Sequence, residues 1–106
     1  MTDYLVIHEV GKPIEAIFKD RLTFLAVDIS DATSIIFIFT KPSGNIITRN
    51  ATFKTNGTDG IARYITKSGD IDEYGIWKLQ GKIITSDGEE FSMETKFDVL
   101  VARLNV

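Results

Sequence analysis

Hydrophobic and polar residues alternate along most of the chain with a period of two, and no helical period is sustained over three turns. In the segment 75–84, Trp77, Leu79, Gly81 and Ile83 share one side, and lysines and a glutamine fill the other. This pattern predicts a half-buried antiparallel strand, because successive side chains of a strand point to opposite faces.

A second alternating segment follows at 91–101. We expect its buried side to consist of Phe91, Met93, Phe97, Val99 and Val101. Asp87-Gly88 lies between the two segments, and glycine accepts the positive φ that a tight hairpin turn needs. The two segments are therefore predicted to form a hairpin.

The segment 34–40 (SIIFIFT) is apolar on both sides, which suits a central strand or one whose outer face meets another subunit. After the turn KPSGN, the more polar segment 46–54 is predicted to be an edge strand. The segment 22–30 (LTFLAVDIS) is apolar and predicted to be extended. The one helical element that we consider is a turn near Ser68 to Glu73. Three more short strands are predicted at 3–8, 13–19 and 61–66.

About eight short strands with turn signals every ten residues or so point to a β-sandwich or a small barrel. The number of strands and the order of the turns favour an all-β fold, a single immunoglobulin-like antiparallel β-sandwich of about seven to nine strands. We expect one domain spanning residues 1–106, with both terminal segments available for assembly.

The composition excludes several classes of function. The net charge is −3 and the 12 basic residues are scattered, so the basic footprint of a nucleic-acid-binding protein is missing. The absence of cysteine removes disulfides, thiolate metal sites and thiol nucleophiles. The first residues do not match a signal peptide, and the apolar run IIFIF is too short for a membrane span. We therefore expect a protein made in the cytoplasm, with no membrane partner.

Asp70, Asp72 and Glu73 lie close together in the segment SGDIDEYG, and Asp59 lies in the preceding loop. Carboxylate oxygens are the ligands that Ca²⁺ prefers, so these three acids are a calcium candidate. Their spacing misses the EF-hand pattern, and aspartates commonly bond their own backbone in turns. We favour turn-forming roles and expect no cofactor and no metal.

The segment DEYGIWKL predicts a corner before a core strand. In sandwich folds an aromatic side chain at this place hydrogen-bonds back to the corner backbone, and either Tyr74 or Trp77 could do so. Because Trp77 shares its face with Leu79, we expect it to fill the core and to need a partner for its N–H group.

The chemistry of an enzyme is poorly represented. His8 is the one histidine, and a general base or a zinc ligand normally needs companions. A nucleophile elbow and a phosphate-binding loop are both missing from the sequence. We therefore expect no catalytic residues, and His8 is expected on the surface or on an edge strand.

Apolar residues without an obvious place in the core lie on the outer side of SIIFIFT and near both termini. Exposed apolar ends on a β domain suggest strand addition or a subunit interface. The interface candidates are Leu5, Ile7, Ile36, Ile38, Leu100, Leu104 and Val106.

An ordered set of short motifs resembles a family of small bacteriophage Ig-like β-sandwich proteins, and the N-terminal domain of phage baseplate upper proteins in particular. The resemblance covers roughly residues 10 to 100. The opening segment is GKPIEAIFKD, and the motifs are Lys41-Pro42-Ser43-Gly44, Gly60-Ile61-Ala62-Arg63-Tyr64, Gly69-Asp70-Ile71-Asp72, Gly75-Ile76-Trp77, Asp87-Gly88 and Phe97-Asp98-Val99.

The resemblance implies a virion structural protein of the baseplate, tail or neck, with other virion proteins and its own copies as partners. One departure is RLTFLAVDISDAT after Asp20, which replaces the turn usual in the family and leaves the early strand pairing open. The alternatives are a capsid decoration protein and a carbohydrate- or receptor-binding sandwich that uses Tyr64, Tyr74 or the loop acids.

Overall fold

The computed structural model describes residues 4–20, 22–91 and 95–100, and over these residues the protein is all-β, with no helix. The turn near Ser68 to Glu73 is a turn and not a helix. The strands are β1 (Tyr4–Val6), β2 (Pro13–Ile17), β3 (Ser34–Thr40), β4 (Ile46–Asn50), β5 (Thr52–Phe53), β6 (Ile61–Ile65), β7 (Gly75–Thr85), β8 (Gly88–Phe91) and β9 (Thr95–Leu100).

The strands form two sheets. The six-stranded sheet has the order β1-β9-β7-β3-β4, with β8 also paired to β7, and the three-stranded sheet has the order β2-β6-β5. The central position of β3 confirms one prediction, whereas the predicted edge strand 46–54 is divided: β4 lies at the edge of the larger sheet, and β5 belongs to the smaller sheet. The positions of β3 and β4 agree with the pattern because β3 is apolar on both sides, whereas β4 carries polar residues at its open edge.

One pair of strands is parallel, so the prediction of wholly antiparallel pairing is wrong. Tyr4 pairs with Asp98 and Val6 with Leu100, which makes the larger sheet mixed. Both strands run toward the end of the molecule where the chain crosses into β2, and the Ile7 amide donates to the Leu100 carbonyl there at 2.8 Å. Strand direction is set by this crossing between sheets, which two-residue alternation does not encode.

The predicted hairpin at Asp87-Gly88 is confirmed, because β7 and β8 pair on either side of it. The partner of β7 then changes: Lys82 pairs with Phe91 in β8, and Leu79 pairs with Thr95 in β9. Two residues of β7 separate these positions and three residues separate their partners, so the register shifts by one. The predicted single strand 91–101 is therefore divided, and Met93 and Val101 lie outside the described residues.

A single core joins the two sheets. One side of the core is formed by the apolar face of β7, where Trp77, Leu79 and Ile83 are at most 2% exposed, as predicted. Phe39 of β3 packs edge-on against Trp77 and Phe97. The three-stranded sheet covers this layer with Ile14, Ala16, Ala62 and Tyr64. Burial of such aromatic and aliphatic side chains is the main stabilising term of a domain of this size.

The segment 22–30 begins with a turn at Leu22 and Thr23 and a positive φ at Phe24, so the prediction of an extended structure is wrong for this part. The segment holds a looped connection whose one ladder contact is an isolated bridge between Lys19 and Ala26. The Asp20 carboxylate accepts hydrogen bonds from the amides of Leu22 at 2.8 Å and Thr23 at 3.0 Å. The Asp20 amide donates to the Leu25 carbonyl at 2.9 Å. These bonds close a turn, which competes locally with strand formation.

This connection is anchored by the neighbouring loop between β5 and β6. The Phe18 amide donates to the Gly60 carbonyl at 2.8 Å, and the Ile29 amide donates to the Gly57 carbonyl at 2.8 Å. A Cβ atom at Gly60 would lie 2.6 Å from the Val27 carbonyl oxygen and 3.0 Å from that of Phe18. Glycine is therefore required at this contact for its missing side chain as well as for its φ of 73°.

The two ends of the molecule differ in character. At one end, the loop between β2 and β3 carries residues 22–25, which we call the apolar loop. At the other end, residues 66–74 connect β6 to β7, and we call this segment the corner. The described residues contain no helix that could cross a bilayer.

We predict that Gly60→Ala destabilises the protein more than Gly11→Ala does. Both glycines have nearly the same positive φ, 73° and 78°, so both variants pay the roughly 1 kcal/mol for a side chain in that conformation. The Cβ at Gly11 meets nothing within 4 Å, whereas the one at Gly60 clashes with backbone. The clash should add about 1–3 kcal/mol.

Urea unfolding followed by the fluorescence of Trp77, the one tryptophan, measures both free energies. Equal losses in the two variants would show that the close approach at Gly60 does not contribute to stability.

Candidate functional site

The acids that the sequence singled out gather at the corner, but each faces a different partner. The most buried is Asp70, at 6% exposure. One of its oxygens accepts from Arg49 Nε at 3.1 Å and lies 3.1 Å from Arg49 Nη2. The other accepts from the Tyr64 hydroxyl and from the Lys67 amide at 2.8 Å. The carboxylate thus links β4 of one sheet to β6 of the other.

The charge of Asp70 is stabilised despite its burial. Burial alone raises the pKa of this carboxyl, but hydrogen bonds from Tyr64, the Lys67 amide and Arg49 lower it, and the net pKa lies below its ordinary value. Burial, followed by the hydrogen bond to Asp70, raises the pKa of the Tyr64 hydroxyl. The pair is therefore a neutral phenol bound to an ionised carboxylate, held beside a guanidinium.

Asp72 and Glu73 do not join Asp70 in a common site. Lys41 Nζ lies 2.9 Å from both oxygens of Asp72. Glu73 accepts from the Ser43 amide at 3.1 Å and the Ser43 hydroxyl at 2.9 Å. Over the residues that the structure describes, no three metal-ligating side chains cluster. The geometry does not favour the calcium candidate, because the three carboxylates are already bound to separate protein donors.

The aromatic corner predicted from the sequence is present and uses Trp77. Its Nε1–H donates to the Glu73 carbonyl at 3.0 Å, while the ring is fully buried. Tyr74 is 65% exposed and does not take this part. Lys41 lies over the Trp77 ring, with Nζ 5.8 Å from the ring centre. The indole therefore joins the core, the corner and the turn after β3.

A groove of about 560 Å³ runs beside Asp70, and Arg49, Tyr64, Lys67 and Ser68 contribute to its largely polar lining. Arg49 and Asp70 neutralise each other in its wall. Among the described residues, no buried side-chain nitrogen or oxygen lacks a hydrogen-bond partner. The groove therefore presents no uncompensated buried group for catalysis. Tyr64, a candidate for sugar binding, is only 7% exposed.

His8 lies in an exposed turn with a φ of 70°, and its amide donates to the Ile71 carbonyl at 2.7 Å. The surface position expected for it is confirmed. Its contribution in the structure is a backbone contact between the first turn and the corner.

The predicted interface residues fall into three groups. Leu5 and Ile7 are half-buried and pack against the core, a place that the sequence did not predict for them. Ile36 and Ile38 are half-buried on the outer face of the six-stranded sheet, and Leu100 is 45% exposed. Leu104 and Val106 lie outside the described residues.

Three strongly exposed apolar side chains are ones that sequence reasoning missed. Leu22 is 91% exposed, Leu25 69% and Phe24 60%, all in the apolar loop. The apolar character of the segment 22–30 led to the prediction of an extended structure. The signal that could have located the loop is Asp20, because its carboxylate can accept hydrogen bonds from the amides two and three residues ahead.

We predict that Asp70→Asn lowers the free energy of unfolding by about 1–3 kcal/mol, because it weakens the bonds to Arg49 and Tyr64 at a buried position. Asp72→Asn is the matched control. The Asp72 side chain is 43% exposed in its pair with Lys41, so its loss should cost about 0–1 kcal/mol. Chemical denaturation measures the free energy of unfolding of both variants. A larger loss of stability in Asp72→Asn than in Asp70→Asn would contradict the structural role assigned to Asp70.

Acid should remove the contribution of Asp70. Its pKa is lower in the folded than in the unfolded chain, so its stabilisation is present above about pH 4 and is lost as pH falls through the folded-state pKa. The stability difference between wild type and Asp70→Asn should therefore shrink between about pH 6 and about pH 2. A difference that stays constant over this range would show that the ionised carboxylate is not the stabilising form.

Scans of the chain against protein-family models, curated proteins and solved structures found no match. A fold shared with proteins of many functions would in any case not decide what this chain does. The function is therefore argued from the arrangement of its own residues.

Proposed function

We propose that the chain is an immunoglobulin-like β-sandwich that acts as a non-enzymatic structural protein of a bacteriophage particle, in the baseplate, tail or neck. It docks to neighbouring subunits through sheet edges and exposed apolar surfaces. The observation that carries the proposal is the exposure of large apolar side chains at the apolar loop, in a protein whose described buried polar atoms all have hydrogen-bond partners.

The strand order supports the immunoglobulin-like part of the proposal. The order β9-β7-β3-β4 corresponds to the G-F-C-C′ order of a variable-type domain, and β2-β6-β5 corresponds to B-E-D. The bond from Trp77 to the Glu73 carbonyl occupies the place of the tyrosine corner in that fold. Leu79 then stands where antibody domains place a cysteine.

The motifs that resemble phage proteins lie at turns and strands of this framework. The Gly44 amide donates to the Lys41 carbonyl in the turn between β3 and β4. The Asp87-Gly88 motif closes the hairpin of β7 and β8. Trp77 fills the core from β7. The motifs therefore serve the scaffold, and the surfaces between them are left to meet partners.

A docking role is supported further by the state of the titratable groups. The Asp70 carboxylate is bound to Arg49 in a structural network. His8 lies in a turn, without a carboxylate or hydroxyl partner for its side chain among the described residues. Catalysis by acid and base needs such groups to face a substrate together. Exposed apolar surface, by contrast, is what subunit contacts use.

We predict that the protein co-purifies with phage particles. The genome that encodes it should carry capsid or tail genes beside its gene. Its virions, separated on a density gradient, should contain the chain at a fixed stoichiometry by quantitative mass spectrometry.

A host protein of similar size serves as the control for contamination. A chain that remains in the soluble fraction while particles band without it would overturn the proposal. Density for the chain in a reconstruction of the particle would then distinguish baseplate, tail, neck and head.

A further inference from the structure

The apolar loop is a preformed protrusion. The Asp20 carboxylate accepts hydrogen bonds from the Leu22 and Thr23 amides, and the Asp20 amide donates to the Leu25 carbonyl. These bonds order the backbone of the loop before any partner binds. Phe24 has a φ of 60°, a conformation that costs an aromatic residue about 1–2 kcal/mol. Strain and exposed apolar area both oppose the stability of a free monomer. They fit a surface that is shaped for contact and is covered in the assembled state.

Carboxylates lie before and after the apolar loop in the same connection, and in the neighbouring loop between β5 and β6. Hydrogen bonds from the Thr23 and Leu22 amides lower the pKa of Asp20, bonds from Ser30 lower that of Asp28, and the Ile61 amide lowers that of Asp59. We call Asp20, Asp28, Asp31 and Asp59 the acidic rim. The rim outnumbers Lys19 and Arg21, the basic residues of the same segment, while Lys54 of the adjoining loop pairs with Glu15.

The outer face of the six-stranded sheet has the complementary character. Ile36 and Ile38 are half-buried at its middle, facing Lys82 and Gln80 across the ladder to β7. Over the residues that the structure describes, this face carries Lys78, Lys82 and Lys96, with Asp98 on β9 and Glu89 on β8 as its acids. Three lysines against two acids give the described part of this face a small excess of positive charge around an apolar centre, on a protein whose net charge is −3.

Two of the lysines on this face lie opposite each other, an arrangement that lowers the stability of the sheet. Lys78 and Lys96 are direct cross-strand partners in β7 and β9, and like charges in such a pair destabilise a sheet. Neither forms an ion pair with any residue that the structure describes. Lys82, by comparison, lies 3.5 Å from Glu89. An anionic surface laid on this face would relieve the repulsion between Lys78 and Lys96.

We propose that the apolar loop of one copy docks on the outer face of the six-stranded sheet of a second copy. Leu22, Phe24 and Leu25 meet the apolar centre around Ile36 and Ile38, and the acidic rim meets the lysines. An apolar centre enclosed by paired charges is the usual anatomy of a protein interface. The proposal rests on the docking role proposed above and names the partner as the protein itself.

The two surfaces differ, so the contact is head-to-tail rather than symmetric. Such contacts build rings when the rotation closes and filaments when it does not. Apolar patches of this kind measure about 300–600 Å², less than the roughly 800 Å² per partner of a standard interface. The acidic rim must supply the remainder, and association is expected to be weak in solution and stronger within an assembly, where several contacts act together.

The acidic rim argues against a lipid surface as the occupant. Membranes that attract proteins electrostatically are anionic, and adsorption to them uses clusters of lysine and arginine. The carboxylates around the apolar loop would be repelled by such a surface. The same carboxylates favour the lysine-bearing face of a second copy.

Sedimentation velocity at low salt, up to about 1 mM protein, tests the proposal with two variants. The double variant Leu22→Ser with Leu25→Ser removes two of the three large apolar side chains of the apolar loop and leaves Phe24 unchanged. Lys78→Glu with Lys96→Glu reverses the charge of the face. Ile65→Ser, at an exposed apolar position on the other sheet, is the control.

We expect the wild type to associate with rising concentration and each variant to weaken association by about 10-fold or more, with the control unchanged. Trp77 fluorescence checks that every variant is folded. An equimolar mixture of the two variants should form dimers and stop there, because only one intact loop and one intact face can meet. Larger species, or no association in the mixture, would overturn the head-to-tail contact.

A wild type that stays monomeric at about 1 mM would overturn the proposal, as would association unaffected by both variants. So would a monomer that binds neutral phosphatidylcholine vesicles through the loop. A monomer that is nevertheless found in phage particles would refute this contact and leave the proposed function intact. A protein that self-associates as expected but is absent from phage particles would refute the proposed function and leave this contact intact.

Discussion

The buried carboxylate of Asp70 is the constraint on which the arrangement of the two sheets depends. A charge at 6% exposure is tolerated only if its oxygens are bound, and Arg49, Tyr64 and the Lys67 amide provide the donors. These donors come from β4, β6 and the corner, so satisfying the charge holds both sheets and their connection in one position. The corner then directs β7 into the core, where Trp77 closes it with a bond to the Glu73 carbonyl.

The three carboxylates at the corner are paired, whereas the apolar loop at the other end is exposed. Lys41 binds Asp72 and Ser43 binds Glu73, so the acids that resembled a ligand site instead tie the corner to the turn after β3. The apolar loop buries little of its own surface, and Phe24 keeps an unfavourable φ there. Paired charges therefore lie at one end and exposed apolar side chains at the other, which fits a protein that acts by docking.

Much of the scaffold could be predicted from local patterns. The buried side of β7, the turn at Asp87-Gly88 and the central position of β3 follow from alternation and turn chemistry, which act between near neighbours in sequence. The start of the segment 22–30 was wrongly expected to be extended, because its apolar residues conceal the turn closed by Asp20. The parallel pairing of β1 with β9 was missed because it joins residues more than ninety positions apart.

By itself the sequence determined the all-β class and the side of each main strand that faces the core. Periodicity and turn residues encode these features within a few positions of each other. Only the tertiary structure decided that Asp70 would meet Arg49, that Leu5 and Ile7 would pack on the core, and that Leu22, Phe24 and Leu25 would remain outside. Those outcomes depend on how the two sheets cross and on which surface is left when the core is full.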